Sequence, residues 1–204
     1  KNKIKYIFKL KDNKLVVIPN LSLNIKYKSK KKLNDIIFVG SLEERKNPIL
    51  LLKAFEKVYN NNLNMKIIGD GDLRNQIIKF INDRKLNKFV KIYKNLSRRS
   101  VIKSIGDSRI LVLPSFYETF GIVVIEAYSM GVPVIMTDSY GVRDVHNPDC
   151  SIIVKNNNVT ELSEAISKIF KNYNKFKHSK IKNFYMKNFS SNVIIKKIEK
   201  IYKI

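Results

Sequence analysis

The sequence predicts an α/β fold, a doubly wound parallel sheet of about six strands with helices on both faces. Three observations predict it. Short β-branched runs recur along the chain, they are apolar throughout instead of alternating, and helical patterns lie between them. Continuous apolar runs belong to strands covered on both faces, and strands that alternate with helices build parallel sheets.

The runs are Leu15–Ile18, Ile36–Val39, Met65–Ile68, Val90–Tyr93, Ile110–Leu113, Pro133–Met136 and Ser151–Val154. The first reads as a weak strand closed by Pro19-Asn20. Between the next two, Ile49, Leu52, Phe55 and Tyr59 fall on one face of a helix with Pro48 in its first turn. Leu73 to Leu86 and Ser97 to Ile105 predict two further helices, with Asp72 and Ser97 as N-caps. Gly121 to Met130 predicts a helix stopped by Gly131 and followed at once by the strand at Pro133. Asn158 with Glu161 three residues later forms a capping-box-like start for a helix over Thr160–Asn172. The tail after residue 175 reads as one or two basic amphipathic helices, with Ile194, Ile198 and Ile201 at helical spacing. The organisation is thus a junction over 1–32, an α/β domain over 33–172 and C-terminal basic helices over 173–204.

Composition sets the class. The 204 residues are 44% hydrophobic with 11 Phe and 10 Tyr, enough for a sizeable core. One cysteine, Cys150, excludes a disulfide framework, and with only two histidines the usual zinc clusters are excluded too. No uncharged apolar run is long enough to span a bilayer, and the start carries no leader-like apolar stretch. The expectation is a soluble protein of the reducing cytoplasm. Because the chain opens on Lys rather than Met, it also reads as a piece of a longer protein.

The net charge is +23, and its distribution matters more than its size. Residues 1–32 hold 11 cations and one acid, as do residues 168–204, while residues 33–167 hold 18 cations and 15 acids. Lys, Ile and Asn make up 85 of the 204 residues and share A/T-rich codons, so biased coding accounts for part of the charge. The basic ends could also meet an anionic membrane surface, which would make the protein peripheral at the inner face of the membrane. Nucleic acid is the remaining class of polyanion, but with a nearly neutral middle it is not the expected partner.

The densest segment runs from Ser115 to Thr137. A strand ends at Leu113-Pro114, a loop carries Glu118, and a helix begins near Gly121. In a doubly wound sheet this is the carboxyl edge, where ligands bind. Phe120, Gly121 and Ile122 would turn free backbone N–H groups toward a phosphate at the helix mouth. Glu126 is the one charge in an otherwise apolar helix. It fits two readings: a buried carboxylate satisfied by the vicinal hydroxyls of a ligand, or a carboxylate on the helix's exposed side paired with a Lys.

This segment resembles the E-x7-E signature of the group 1 (family 4) retaining glycosyltransferases, at Glu118, Phe120, Gly121, Glu126, Ala127, Gly131, Pro133 and Val134. The resemblance extends in order over residues 15–170. Val17-Ile18-Pro19-Asn20 is similar to the segment entering the family's second domain. Phe38-Val39-Gly40 followed by Lys46 resembles its phosphate-binding loop, and Ile68-Gly69-Asp70-Gly71 with Leu73 its G-D-G-x-L turn. Thr137-Asp138, Gly141 and Asp144 parallel its T-D-x-x-G-x-x-E segment, and Asn158 to Ile166 its D-P-x-x-L-x-x-A-I helix.

The resemblance implies the Rossmann-like, donor-binding half of a GT-B architecture. It implies Glu118 as the catalytic-site carboxylate on the donor sugar, Glu126 as the ribose holder, and Phe120, Gly121, Ile122 and Val123 as phosphate binders. Gly40, Arg45 and Lys46 would belong to the phosphate loop, with Lys46 neutralising the diphosphate. The donor is a nucleotide-diphosphate sugar of UDP, GDP or ADP type, with no metal and no other cofactor, because a cation and a helix N-terminus stabilise the leaving charge. Transfer with retention would go to a glycan, lipid-linked or protein acceptor, held by an acceptor domain outside this chain toward which the C-terminal helices would pack. The other functional class is a non-catalytic module that binds sugar nucleotides and completes its site with a partner subunit. The chain departs from the pattern at Ser41, where Arg is frequent, at Lys94 in the base-contacting loop Tyr93–Leu96, where Gly is usual, and at Asp144 in place of Glu.

Other constellations are less specific. Asp70-Gly71-Asp72 has metal-binding D-x-D spacing but lies between a strand and a helix, which favours a turn with an N-cap. His146 and His178 have no partner at ligand spacing and read as structural or surface residues. Cys150 reads as a small apolar core residue.

Overall fold

The computed structural model describes residues 16, 18–20, 35–60, 62–139 and 141–202. It contains six strands, β1 (Asp35–Val39), β2 (Asn64–Ile68), β3 (Val90–Tyr93), β4 (Ile110–Leu113), β5 (Val134–Thr137) and β6 (Ser151–Val154). The helices are α1 (Pro48–Val58), α2 (Arg74–Asp83), α3 (Arg98–Asp107), α4 (Ile122–Ser129), α5 (Val159–Lys171), α6 (His178–Asn188) and α7 (Ser191–Tyr202). The sheet order is β3-β2-β1-β4-β5-β6, and every neighbouring pair is parallel. The chain winds outward from β1 to β3, returns through α3 to β4 beside β1, and then winds the other way. The switch point therefore lies between β1 and β4, where a crevice opens at the carboxyl edge.

Each strand feeds two cores, because alternate side chains leave opposite faces. Ile36, Phe38, Met65 and Ile67 join Leu51 and Phe55 of α1 and Leu162 and Ile166 of α5 on one face. Ile37, Leu111, Leu113 and Met136 join Ile102 and Ile105 of α3, Val124 and Tyr128 of α4, and Ile181 and Tyr185 of α6 on the other. The central strands β4 and β5 are buried at every residue, the pattern that unbroken apolar runs announce. Helix α4 is buried from Val124 to Tyr128 because α3, α6 and the sheet surround it. A helix apolar on all sides belongs in such a place.

All six strands over 33–172 fall within one residue of their sequence positions, with β5 shifted by one to begin at Val134. Ile18 and Asn20 lie in irregular backbone, while Leu15 and Val17 of the expected first run lie outside the described residues. Ser97 caps α3 as expected, its Oγ accepting from the Ser100 N–H at 3.3 Å. Asn158 caps α5 through the Glu161 N–H at 2.9 Å, but the reciprocal half of the box is replaced: the Glu161 carboxylate accepts from Lys155 N–H at 3.2 Å. Asp72 is not an N-cap. The helix starts later, at Arg74, behind Leu73, because the Asp70–Leu73 turn is held by backbone bonds to the loop after β1: Leu42 N–H to Asp70 O at 2.9 Å and Leu73 N–H to Leu42 O at 2.9 Å. Tyr59, expected on the buried face of α1, sits at its C-cap half-exposed and contacts the Phe55 and Phe89 rings.

The basic tail forms two helices. Helix α6 packs on α4, where Phe184 meets Tyr128 edge-on at 5.7 Å and Phe189 meets Phe120 at 6.4 Å. This aromatic wall backs the loop that leads into α4. In α7 Ile194 is buried, whereas Ile201 is exposed.

Candidate functional site

Four loops at the carboxyl edge, those after β1, β4, β5 and β6, are stitched together by hydrogen bonds. Phe116 N–H donates to Arg45 O at 2.9 Å, tying the loop after β4 to the loop after β1. Gly141 N–H donates to Glu118 O at 3.0 Å, tying it to the loop after β5. Asn156, after β6, donates from Nδ2 to Asp138 O at 2.7 Å. The loop carrying Glu118 is thereby fixed from both sides.

Glu118 is buried, and its carboxylate accepts from Ser115 Oγ at 2.8 Å and from the Lys46 ammonium in a short ion pair. Thr137 Oγ1 in turn donates to Ser115 O, so the end of β5 steadies the support of Glu118. Lys46 closes the short 3-10 turn Glu44–Lys46 that precedes α1. Arg45, half-exposed, reaches Tyr117 O at 3.4 Å and Glu43 at 3.7 Å. Gly40 opens the loop after β1, and a Cβ there would stand 3.8 Å from Lys46 Cδ.

Gly121 is the N-cap of α4 with φ of +72°, a left-handed conformation that suits a residue without Cβ. It turns the chain so that the first amides of α4 face the crevice, and such first-turn N–H groups have no partner within the helix. One turn into the helix, Glu126 points the same way. Its side chain is 2% exposed, so the reading of a solvent-facing carboxylate paired with a Lys does not hold. Its partner is Arg98, at the first position of α3, whose guanidinium Nη2 meets Glu126 Oε1.

These groups line one cavity of about 370 Å³. Of the residues singled out in the sequence, Lys46, Glu118, Phe120, Gly121, Ile122, Val123 and Glu126 all line it. Gly40 and Arg45 are not among the residues that line it. Sequence reasoning missed Asn20, Val39, Thr119 and Arg98, which line it too. Asn20 lay within the Val-Ile-Pro-Asn segment, Val39 within the Phe38-Val39-Gly40 motif and Thr119 within the signature, though none was named as a site residue. Arg98 had one overlooked signal: two arginines and no acid in the first turn of a helix, against the preference of the helix dipole.

The remaining candidates lie elsewhere. His146 bonds through Nδ1 to Ser151 Oγ at 2.9 Å, and burial holds its pKa below the ordinary value. His178 packs against Gly131. Cys150 is buried, which pushes its thiol up to about 12. Asp70 pairs with Lys94 at 2.7 Å and with Arg74 at 3.7 Å, and Lys94 holds its pKa below the ordinary carboxylate value. Among the described residues no group of three or more His, Cys, Asp or Glu could hold a metal ion.

Chemically, the cavity offers a cation and a helix mouth for phosphate and two fixed carboxylates for hydroxyls. A doubly wound sheet with this arrangement at its switch point is the C-terminal domain of a GT-B glycosyltransferase. The chain belongs to the glycosyl transferases group 1 family, whose model matches residues 22–186. An uncharacterized glycosyltransferase of Methanocaldococcus jannaschii is 32% identical over 157 residues, covering 74% of this chain and 38% of the relative. The UDP-Gal:alpha-D-GlcNAc-diphosphoundecaprenol alpha-1,3-galactosyltransferase of Escherichia coli is 28% identical over 184 residues, covering 83% of this chain and 45% of the relative. Among solved structures, TarM of S. aureus, in complex with UDP, superposes with a TM-score of 0.84 at 20% identity, over 98% of this chain and 42% of that one. The chain spans less than half the length of these relatives.

Proposed function

We propose that the cavity binds a nucleotide-diphosphate sugar and that, with an acceptor domain, the protein transfers the glycosyl group with retention of configuration. One observation carries this reading. Lys46, Arg98, and the run that carries Glu118, the mouth of α4 and Glu126 come from three separate segments and converge on one cavity. The diphosphate would lie against the first amides of α4 and the Lys46 ammonium. Glu126 would hold the ribose hydroxyls and Glu118 those of the donor sugar. Lys46 and the helix mouth supply the charge stabilisation, so the reaction needs no metal ion. The bond from the sugar's anomeric carbon to the phosphate oxygen breaks, the acceptor oxygen attacks on the same face, and its proton passes to the departing phosphate.

UDP is the first nucleotide to try, since the E. coli relative is named for a UDP-Gal donor and the TarM structure holds UDP. A lipid-linked glycan is the first acceptor class, by the names of the E. coli relative and of a Campylobacter jejuni relative acting on a diphospho-undecaprenol. The exposed lysines of α6 and α7 would lie at the cytoplasmic face of an anionic membrane bearing such an acceptor. Incubation with UDP-sugars and a polyprenyl-diphosphate glycan, followed by NMR of the product's anomeric configuration, tests the reaction. A product with retained configuration supports the reading. An inverted product contradicts retention, and UDP release without acceptor consumption contradicts transfer.

A further inference from the structure

Arg98 lines the same cavity but has no role assigned so far in holding the nucleotide sugar. Ser97 fixes the start of α3, so Arg98 occupies the first helical position, and Val101, Ile102 and Ile105 anchor the helix in the core beside α4. A cation at that end of a helix faces the positive pole of the dipole, and Arg99 adds a second. The placement is therefore unfavourable by itself. What offsets it is the Glu126 carboxylate, almost wholly buried, which Arg98 meets while its own side chain stays about half exposed at 48%.

A guanidinium carries five N–H donors in a rigid plane, and the contact to Glu126 uses one edge of it. The charged side chains lining the cavity are Lys46, Arg98, Glu118 and Glu126, two of each sign. Without Arg98 the lining would carry a net negative charge, the wrong sign for a diphosphate. With it, each carboxylate has its own cation: Lys46 holds Glu118 and Arg98 holds Glu126.

Resting on the proposed nucleotide site, we propose that Arg98 is the positioning residue that fixes Glu126 for a vicinal diol and so sets the preference for a ribose over a deoxyribose. A carboxylate held at one oxygen by a guanidinium cannot rotate freely, so it presents a set geometry to two neighbouring hydroxyls. Removing the guanidinium frees the carboxylate and takes away the geometry, while the helix mouth that binds phosphate stays in place.

The test is a calorimetric titration of the protein with UDP, GDP and ADP, and with the 2′-deoxy form of whichever binds. The wild type prefers the ribo form by roughly tenfold or more, the worth of a hydrogen bond to a charged group. Arg98→Ala brings the ratio close to one, and Arg98→Ala with Glu126→Gln has the same ratio as Glu126→Gln alone, since both act on one element. Arg99→Ala, one residue on and exposed, leaves the ratio unchanged. If Arg98→Ala weakens ribo and deoxy forms equally, or leaves the preference intact, the positioning role is wrong while the nucleotide site stands. If the wild type binds none of the three nucleotides, both fall.

Discussion

The backbone of Gly141 lies directly on that of Glu118. Its N–H donates to the Glu118 carbonyl at 3.0 Å, and a Cβ at Gly141 would stand 2.4 Å from that oxygen and 2.3 Å from the Thr119 carbonyl. Contacts that short with backbone atoms cannot be relieved by a side-chain rotation. The loop after β5 thus acts as a template for the loop that carries Glu118.

Gly141→Ala is therefore expected to displace the Glu118 loop. Overpacking of this kind costs about 1–3 kcal/mol of stability. Thermal unfolding should show the loss, and affinity for the nucleotide sugar should fall with it. An alanine variant with unchanged melting temperature and unchanged affinity would show that the two loops are not coupled.

The Lys46–Glu118 pair is largely buried, its side chains 16% and 6% exposed. Lys46→Ala leaves the Glu118 carboxylate with Ser115 as its remaining partner. Breaking one side of a buried pair costs about 3 kcal/mol, whereas replacing both sides with apolar groups can be nearly neutral. Lys46→Ala is expected to be markedly less stable than Lys46→Met combined with Glu118→Leu in denaturant unfolding. Equal stabilities would mean that solvent screens the pair.

Cys150 is the chain's one cysteine, and burial raises its thiol to about 12. Thiolate is the reactive form, so the native protein should label very slowly with a thiol reagent at about pH 8. Denaturant should release one fast-reacting thiol per chain. Rapid labelling of the native protein would contradict the packing between β5 and β6.

His146 is held below its ordinary pKa of 6.5 by burial. The unfolded chain therefore takes up the proton more readily than the folded one. The contribution of His146 is present above the unfolded value of 6.5 and is lost as pH falls from there through the lower folded value. Melting temperature measured between about pH 7.5 and pH 5 should fall less steeply in His146→Gln than in the wild type. Parallel slopes would place His146 in water in the folded state.

Much of this architecture is legible in the residues themselves. The strands can be read because parallel strands buried on both faces are apolar without alternation, as Ile110–Leu113 and Val134–Thr137 are. The site can be read where its residues are contiguous, since Glu118, Gly121 and Glu126 occupy one loop and the helix it enters. Lys46 required the resemblance, and Arg98 escaped altogether, because a contact between the start of α3 and the middle of α4 leaves no periodic trace. Asp72 misled for a long-range reason. Its type and spacing suit a cap, but the Asp70–Leu73 turn spends its backbone groups on the loop at Leu42 and delays the helix to Arg74. The register of caps and turns is decided by such long-range bonds, which short-range patterns do not carry.

The central claim is that Glu126 and the mouth of α4 form a nucleoside diphosphate site that works without metal. Calorimetric titration with UDP, GDP and ADP, first in chelator and then with Mg²⁺, on the wild type and on Glu126→Ala, tests it most directly. One nucleotide should bind with the same affinity in both buffers and more weakly to Glu126→Ala by roughly 1–3 kcal/mol, the cost of a lost buried hydrogen-bonding partner. Binding to none of the three, or binding that needs Mg²⁺ and ignores the loss of Glu126, would contradict it.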